Sequence, residues 1–166
     1  MIRDLAKKLA AFEEFKGFVI IEITFRHGSF DSAAQILKSN LNMALLQANS
    51  AHTQVLVKMI RPRTEIKAAL DSQIQSAEKI WRIFTTAEIF DFAEVVGDKN
   101  PIHQTKPPIV PAFLILESIC AEFNADFIKL KFKNFITAGE PLTLQRSDNK
   151  FEIICAGVEK VTGELS

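Results

Sequence analysis

The sequence predicts an α+β protein in two parts: a mostly helical unit over residues 1–80, then a unit over 81–166 in which antiparallel strands wrap one buried helix. Three observations carry this. Before residue 80, apolar side chains recur mainly at helical spacing. The run IVPAFLILESICAEF (109–123) is too long for a strand and apolar on nearly all faces, as a buried helix must be. After it come three strand-like runs with clear alternation. At 166 residues the chain suits one ordinary domain or two small ones. A charged fraction of 24% excludes wholesale disorder, and 48% apolar residues suffice for a core.

In the first part, Phe18, Ile21 and Phe25 share one helix face, and Gly28 ends it. Ser29 or Asp31 would cap a second helix through Ala33, Ala34, Ile36 and Leu37. A third would run from about Asn42 to Ala51. The β-branched run VLVKMI (55–60) reads as a strand. Arg61-Pro62-Arg63 stops it, Thr64 can cap, and residues 65–81 read as a long amphipathic helix. Three short helices, a strand and a long helix are the ingredients of a winged helix-turn-helix.

In the second part, Thr85 or Thr86 caps a helix whose apolar positions include Phe92 and Val96. The turn Gly97-Asp98-Lys99-Asn100-Pro101-Ile102-His103 follows, then the buried helix, with Pro111 in its first turn. Strands are expected over 127–136, 141–146 and 150–165, the last bending at Gly157. A central helix wrapped by such a sheet is the hotdog architecture.

The formal net charge is zero, yet it is unevenly spread: residues 1–80 carry an excess of three basic groups and residues 81–166 an excess of three acidic ones. Zero charge therefore does not exclude a nucleic-acid partner for the first part. The two cysteines, Cys120 and Cys155, are not in a C-x-x-C spacing, which argues against a disulfide framework or a zinc-thiolate site. The opening MIRDLAKKLAAFEEF has no long apolar stretch and no apolar run reaches 18 residues. A cytoplasmic protein without a membrane partner is the expectation.

The residues add two resemblances. Phe18, Ile21 and Phe25, then His27-Gly28-Ser29-Phe30, Ala33-Ala34 and Leu37, resemble the F-x-x-V…GSF-x-x-AA-x-x-L run of LysR-type transcriptional regulators. Val55 to Ile60 and Thr64-Glu65…Ala68-Ala69-Leu70 are similar to that family's strand and linker helix. The resemblance implies a recognition helix opening at Asn40, with Asn42, Gln47 and Asn49 at base edges and Arg61 and Arg63 at phosphates. That stretch lacks the arginines usual in the family.

In the second part, His103, Pro108-Ile109-Val110-Pro111-Ala112 and Glu117 resemble the H-F-P-G-x-P-x-M-P-G-x-L-x-x-E motif of 3-hydroxyacyl-ACP dehydratases, with the same His-to-Glu spacing. Phe132 to Leu142 looks like the strand that follows in that family. Asp98-Lys99-Asn100-Pro101-Ile102-His103 resembles instead the D-x-N-P-x-H of MaoC-like enoyl-CoA hydratases. These resemblances imply His103 as base, Glu117 as acid or water-orienting group with Asp98 sharing that role, and the Ala112 or Phe113 N–H facing the thioester oxygen. They also imply a homodimer, because in the dehydratases the His and Glu that meet belong to different protomers. Ala112 stands where that motif has glycine, and the loop after His103 is shorter than in the MaoC type.

Two functions follow. The first is a DNA-binding transcriptional regulator whose hotdog domain binds an acyl-CoA or acyl-ACP effector; a malonyl-thioester-sensing repressor family of Gram-positive bacteria is similar in architecture. The second is a 3-hydroxyacyl-thioester dehydratase or enoyl-CoA hydratase, a lyase, whose N-terminal part serves dimerisation. Neither reading calls for a metal or a cofactor beyond the carrier of the acyl group.

Overall fold

A computed structural model describes residues 1–64 and 79–166. Helix α1 (Ile2–Ala10) buries Ile2, Leu5, Ala6 and Leu9, a stripe spaced by three and four residues, and leaves Arg3, Asp4 and Lys7 outside. A short 3-10 turn (Glu13–Phe15) leads to four strands: β1 (Val19–His27), β2 (Ala34–Ser39), β3 (Met43–Asn49) and β4 (Thr53–Ile60). Helices α2 (Thr86–Val96) and α3 (Ala112–Glu122) follow, then β5 (Phe127–Phe132), β6 (Thr143–Ser147), β7 (Lys150–Cys155) and β8 (Val158–Leu165). The strands form one antiparallel sheet in the order β2-β3-β4-β1-β5-β8-β7-β6.

That order reads as the same pattern from either end. A helix leads to a strand, and a three-strand meander then returns its last strand to the first. Helix α1 with β1–β4 is one copy, and α3 with β5–β8 is the other. The two copies meet where β1 pairs with β5, from Glu22↔Lys131 to Arg26↔Phe127. Beyond Glu22 the strands part: β1 continues against β4 as far as Val19↔Ile60, and β5 continues against β8 as far as Phe132↔Val161.

The helix-turn-helix expected in residues 18–51 is corrected here. Phe18, Ile21 and Phe25 do not share a helix face, because residues 19–27 are a strand. The residues Val19, Ile20, Ile21, Ile23 and Thr24 are β-branched, which stiffens the side chain and suits a pleated surface. Ile21 is the extra residue of a β-bulge, so three-residue spacing across it mimics a helical period. The second expected helix is the edge strand β2, exposed along its whole length, and the supposed recognition helix is β3. In β3 the buried Ala44, Leu46 and Ala48 alternate with Leu45 and Gln47, and ladders on both sides overrule the helix propensity of Ala and Leu. Residues 55–60 are a strand, as expected. The linker helix expected over 65–81 falls largely outside the described residues.

The second part matches its expectation closely. Thr85 caps α2 in a reciprocal capping box with Glu88, and Gly97 closes the helix in the left-handed conformation at φ 72°. Helix α3 buries Phe113, Leu114, Ile115, Leu116 and Ile119, and full burial of each such side chain contributes roughly 1.5–3 kcal/mol. The strands expected at 127–136 and 141–146 end earlier or later than expected, and the one at 150–165 splits into β7 and β8 around Ala156-Gly157. Gly163 on β8 faces Phe151 on β7, and a Cβ there would lie 2.0 Å from the ring. Only glycine leaves room for that ring. Among the described residues no helix is long and apolar enough to cross a membrane.

Candidate active site

The loop between α2 and α3 carries the polar centre. Gly97 turns the chain out of α2, and the Asp98 carboxylate oxygen Oδ1 accepts the N–H of Asn100 at 2.9 Å. Asn100 then opens a 3-10 turn (Pro101–Gln104) that aims His103 inward. The His103 ring is buried, at 8% side-chain exposure, and its Nδ1 lies 2.8 Å from the Ile109 carbonyl oxygen. A carbonyl can only accept, so Nδ1 carries a hydrogen. The other nitrogen, Nε2, lies 3.3 Å from Asp98 Oδ2. Burial pushes the Asp98 carboxyl up, but the hydrogen bond and charge of His103, with the Asn100 N–H, outweigh burial and hold it below its ordinary value.

The amide of Asn100 reaches across the molecule. Its Nδ2 donates to the Phe18 carbonyl oxygen at 2.8 Å, at the start of β1. The first copy of the repeat thus holds the loop borne by the second. Asn100 was noted in the sequence as part of a turn and of the D-x-N-P-x-H resemblance, with no role of its own. This long-range bond is what makes it a part of the site, and nothing in local spacing announces it.

A cavity of about 350 Å³ lies against this loop. Asp98, Asn100, His103 and Val110 to Phe113 line one side. Leu9, Phe12, Phe15 and Phe18 from the first copy line another, with Leu46, Val57 and Met59 from its sheet. Ile20, Ile21, Phe132 and Lys133 line it where β1 and β5 part. Its size and apolar lining with a few polar groups are those of a small-molecule site. The exposed Lys16, Lys99 and Lys133 also border it and form a cationic rim, with the neutral Asn134 beside them. Lys16 is ion-paired with Glu13 at 3.1 Å.

Helix α3 begins in the cavity wall. Its N-cap is Pro111, and no side chain caps it. The first N–H groups of a helix have no partner within the helix, and they sit at the positive end of its dipole. Ala112 and Phe113, which carry these groups, both line the cavity. A developing oxyanion placed there would be stabilised.

Glu117 lies elsewhere. It accepts a forked pair of hydrogen bonds from Arg3 of α1, Nε to Oε1 at 3.0 Å and Nη2 to Oε2 at 3.0 Å, and it does not line the cavity. The hydrogen bond to Glu117 raises the Arg3 pKa further. The structure brings Asp98, His103, Ala112 and Phe113 to one cavity and leaves Glu117 outside it. Cys120, near Glu117, has its thiol pushed up to about 11, by burial first and the Glu117 charge second.

The residues expected to touch DNA do not share a helix face. The Asn40 carboxamide oxygen accepts the N–H of Asn42 and of Met43 in the β2–β3 turn. Asn42 accepts the Arg61 N–H through its carbonyl. Gln47 stands opposite Gln35, and Asn49 is buried with its carbonyl holding Lys8 at 2.6 Å. The Arg61 guanidinium covers the Phe18 ring, 5.1 Å from its centre. Arg63 is exposed beyond β4. Spread over turns and strands, these side chains form no groove-reading helix. Among the described residues, no three His, Cys, Asp or Glu converge as metal ligands.

Comparison with known proteins agrees with the antiparallel sheet and its central helix. No protein-family model matches the chain, and no curated protein sequence does. Solved structures do. HtdX from Mycobacterium tuberculosis aligns with TM-score 0.64 and 14% identity over 98% of this chain and 86% of that one. The peroxisomal multifunctional enzyme type 2 of Drosophila melanogaster aligns with TM-score 0.60 and 12% identity over 99% of this chain, which spans 40% of the fly enzyme. A MaoC-like dehydratase from Phytophthora capsici aligns with TM-score 0.56 and 13% identity over 90% of this chain and 69% of that one. The class defined by this fold is the hotdog fold. The particular likeness is to proteins that include a MaoC-like dehydratase, and among the described residues no winged helix accompanies it.

Proposed function

We propose that the protein is a hydratase–dehydratase of acyl thioesters. It would interconvert a 2-enoyl thioester and water with the 3-hydroxyacyl thioester. The observation that carries this is the buried Asp98–His103 pair in the wall of an apolar cavity, beside the uncapped start of α3. The regulator reading loses its support with the helix-turn-helix.

In the hydration direction, a water held between His103 Nε2 and Asp98 Oδ2 adds to the β-carbon. One proton of the water passes to the pair, and the α-carbon takes a proton from it, so the protein ends as it began. The thioester oxygen bears negative charge between these events and faces the N–H groups of Ala112 or Phe113. Asp98 takes the part that the dehydratase motif gives to a glutamate, and Glu117 serves to fasten α1 to α3. The acyl group would arrive on CoA or acyl carrier protein, with phosphates of the carrier arm at Lys99 and Lys133. Both sides of the cavity lining come from one chain, so the two copies of the repeat supply what two protomers supply in the dehydratases; a homodimer of such chains remains the expected assembly. In this reading residues 1–80 and 81–166 are two hotdog-like halves.

The test is hydration of a 2-enoyl-CoA by the purified protein, followed through loss of the conjugated double bond. His103→Ala is expected to lower kcat by about 10²–10⁴-fold, the usual contribution of acid–base catalysis. Turnover unchanged by His103→Ala would defeat the proposal.

A further inference from the structure

Behind the polar centre a row of hydrogen bonds runs from His103 to β8. It crosses residues 133–141, which link β5 to β6 and lie beside the segment leading into α3. Ile109 and Thr137 stand opposite each other there in an antiparallel bridge. The Val110 N–H donates to the Ile136 carbonyl at 2.8 Å, and the Ala138 N–H to the Pro108 carbonyl at 2.9 Å. In such a pair the residue between the two bonds turns its own N–H and C=O to the opposite edge. For Ile109 that edge holds His103, whose Nδ1–H the carbonyl accepts at 2.8 Å. For Thr137 it holds Glu140, whose Oε2 accepts the Thr137 N–H at 2.7 Å. Lys160 of β8 completes the row: its Nζ donates to Glu140 Oε1 at 2.7 Å and to the Phe135 carbonyl at 2.9 Å. The side chains of Glu140 and Lys160 are each 12% exposed, and neither lines the cavity.

We propose that Glu140 and Lys160 are positioning residues, which set the tautomer of His103 and the place of the α3 start from outside the cavity. The proposal rests on the hydratase reading of the same cavity. The Ile109 carbonyl keeps a hydrogen on Nδ1 and so leaves the Nε2 lone pair to take a proton from water. With the hydrogen on Nε2 instead, that nitrogen has no lone pair to offer. Ile109 also stands two residues before Pro111, the N-cap of α3, so the same segment places the N–H groups of Ala112 and Phe113. Residues 136–138 hold that segment, and Glu140 holds them in turn, through its carboxylate and through its own N–H on the Thr137 carbonyl at 3.3 Å. A buried ion pair is a poor source of stability, because apolar side chains of similar volume often serve as well. What the carboxylate adds is direction. One oxygen takes the ammonium and the other takes a single backbone N–H, in short charge-assisted bonds. Lys160 stands 20 residues beyond Glu140, so the pair is an assignment of the fold and of no local spacing.

The test uses the intact protein and two double variants, Glu140→Leu/Lys160→Met and Glu140→Gln/Lys160→Met, in which no charge is left buried without its partner. Three readings are taken: hydration of crotonyl-CoA, the Kd of butyryl-CoA by titration calorimetry, and the His103 tautomer by nitrogen-15 NMR of the imidazoles. The chain has three histidines, and His103→Ala identifies the signal that belongs to His103. The unaltered protein should show the Nδ1–H form. In the Leu variant that form should give way to a mixture with Nε2–H, and kcat should fall about 10–100-fold, the usual cost of a small misplacement of catalytic groups. The Kd of butyryl-CoA should stay within a few-fold. The Gln variant keeps an oxygen for the Thr137 N–H and should recover part of both the tautomer and kcat. Circular dichroism identifies folded variants, and the Gln variant, nearly isosteric at 140, keeps the test decisive if the Leu variant is not folded. An Nδ1–H form and a kcat both unchanged in folded variants overturn the proposal, as does a loss of kcat matched by an equal loss of binding. A tautomer that shifts in the variants while even the unaltered protein hydrates no crotonyl-CoA upholds the positioning role and defeats the hydratase reading alone.

Discussion

The two copies of the repeat share a topology and differ in almost everything that bears on chemistry. Helix α1 is amphipathic and buries one stripe; α3 is buried along most of its length. In the second copy the central helix is preceded by α2 and the Asp98–His103 loop. Both copies line the cavity with rings, but the buried Asp98–His103 pair and the uncapped helix start belong to the second alone. The same helix-and-meander topology thus carries two different linings of one cavity. The fold alone does not say which half reacts.

That difference can be broken at its strongest point first. Asp98→Asn removes a carboxylate from the pair and should lower kcat for enoyl-CoA hydration by about 10³-fold, while the Kd for a saturated acyl-CoA stays within a few-fold. The same variant has a signature in pH. The folded Asp98 pKa lies below the ordinary value of about 3.9, so its stabilising contribution is present at neutral pH and fades as pH falls through the lowered value. Acid unfolding profiles should therefore show a weaker dependence below about pH 4 in Asp98→Asn than in the unaltered protein. An identical profile would mean that the carboxylate is not engaged by His103.

Next in size is the packing of the second copy. Gly163→Ala sets a methyl against the Phe151 ring and should lower stability by about 1–3 kcal/mol, read as a drop in the denaturant midpoint at unchanged slope. A neutral result would show that Phe151 can leave its place without cost. The smallest effect is expected where the copies touch through solvent. Arg3 and Glu117 are 43% and 35% exposed, so Arg3→Ala should cost under about 1 kcal/mol by chemical denaturation, and less at high salt. A loss of several kcal/mol would make this pair a principal clamp between the copies.

The second copy was legible because its signals are local. The alternation of β5, the Thr85–Glu88 capping box and the unbroken apolar run of α3 each fit within a dozen residues. The Asp98–His103 pair was legible for the same reason, as a turn that brings close neighbours together. The first copy misled because its strands take their identity from partners far along the chain. Met43–Asn49 has the composition of a helix and becomes β3 through ladders on both sides. The Ser29-Phe30, Ala33-Ala34 and Leu37 run that resembled a regulator lies in an exposed loop and edge strand, with no hydrophobic constraint to fix a helix. The pairing of Glu117 with Arg3 was not legible, because Arg3 reaches it from the other end of the chain. The β-branched richness of residues 19–24 was the signal that would have corrected the first strand.

The β1–β5 ladder has a consequence in time as well as in space. Each meander closes through neighbours in sequence, but the ladder pairs residues roughly a hundred positions apart, and closing so long a loop carries the largest entropy cost in the sheet. Formation of the ladder is then the late event of folding. The cavity spans that junction, so it should take shape with this last step, after both halves have acquired their own secondary structure.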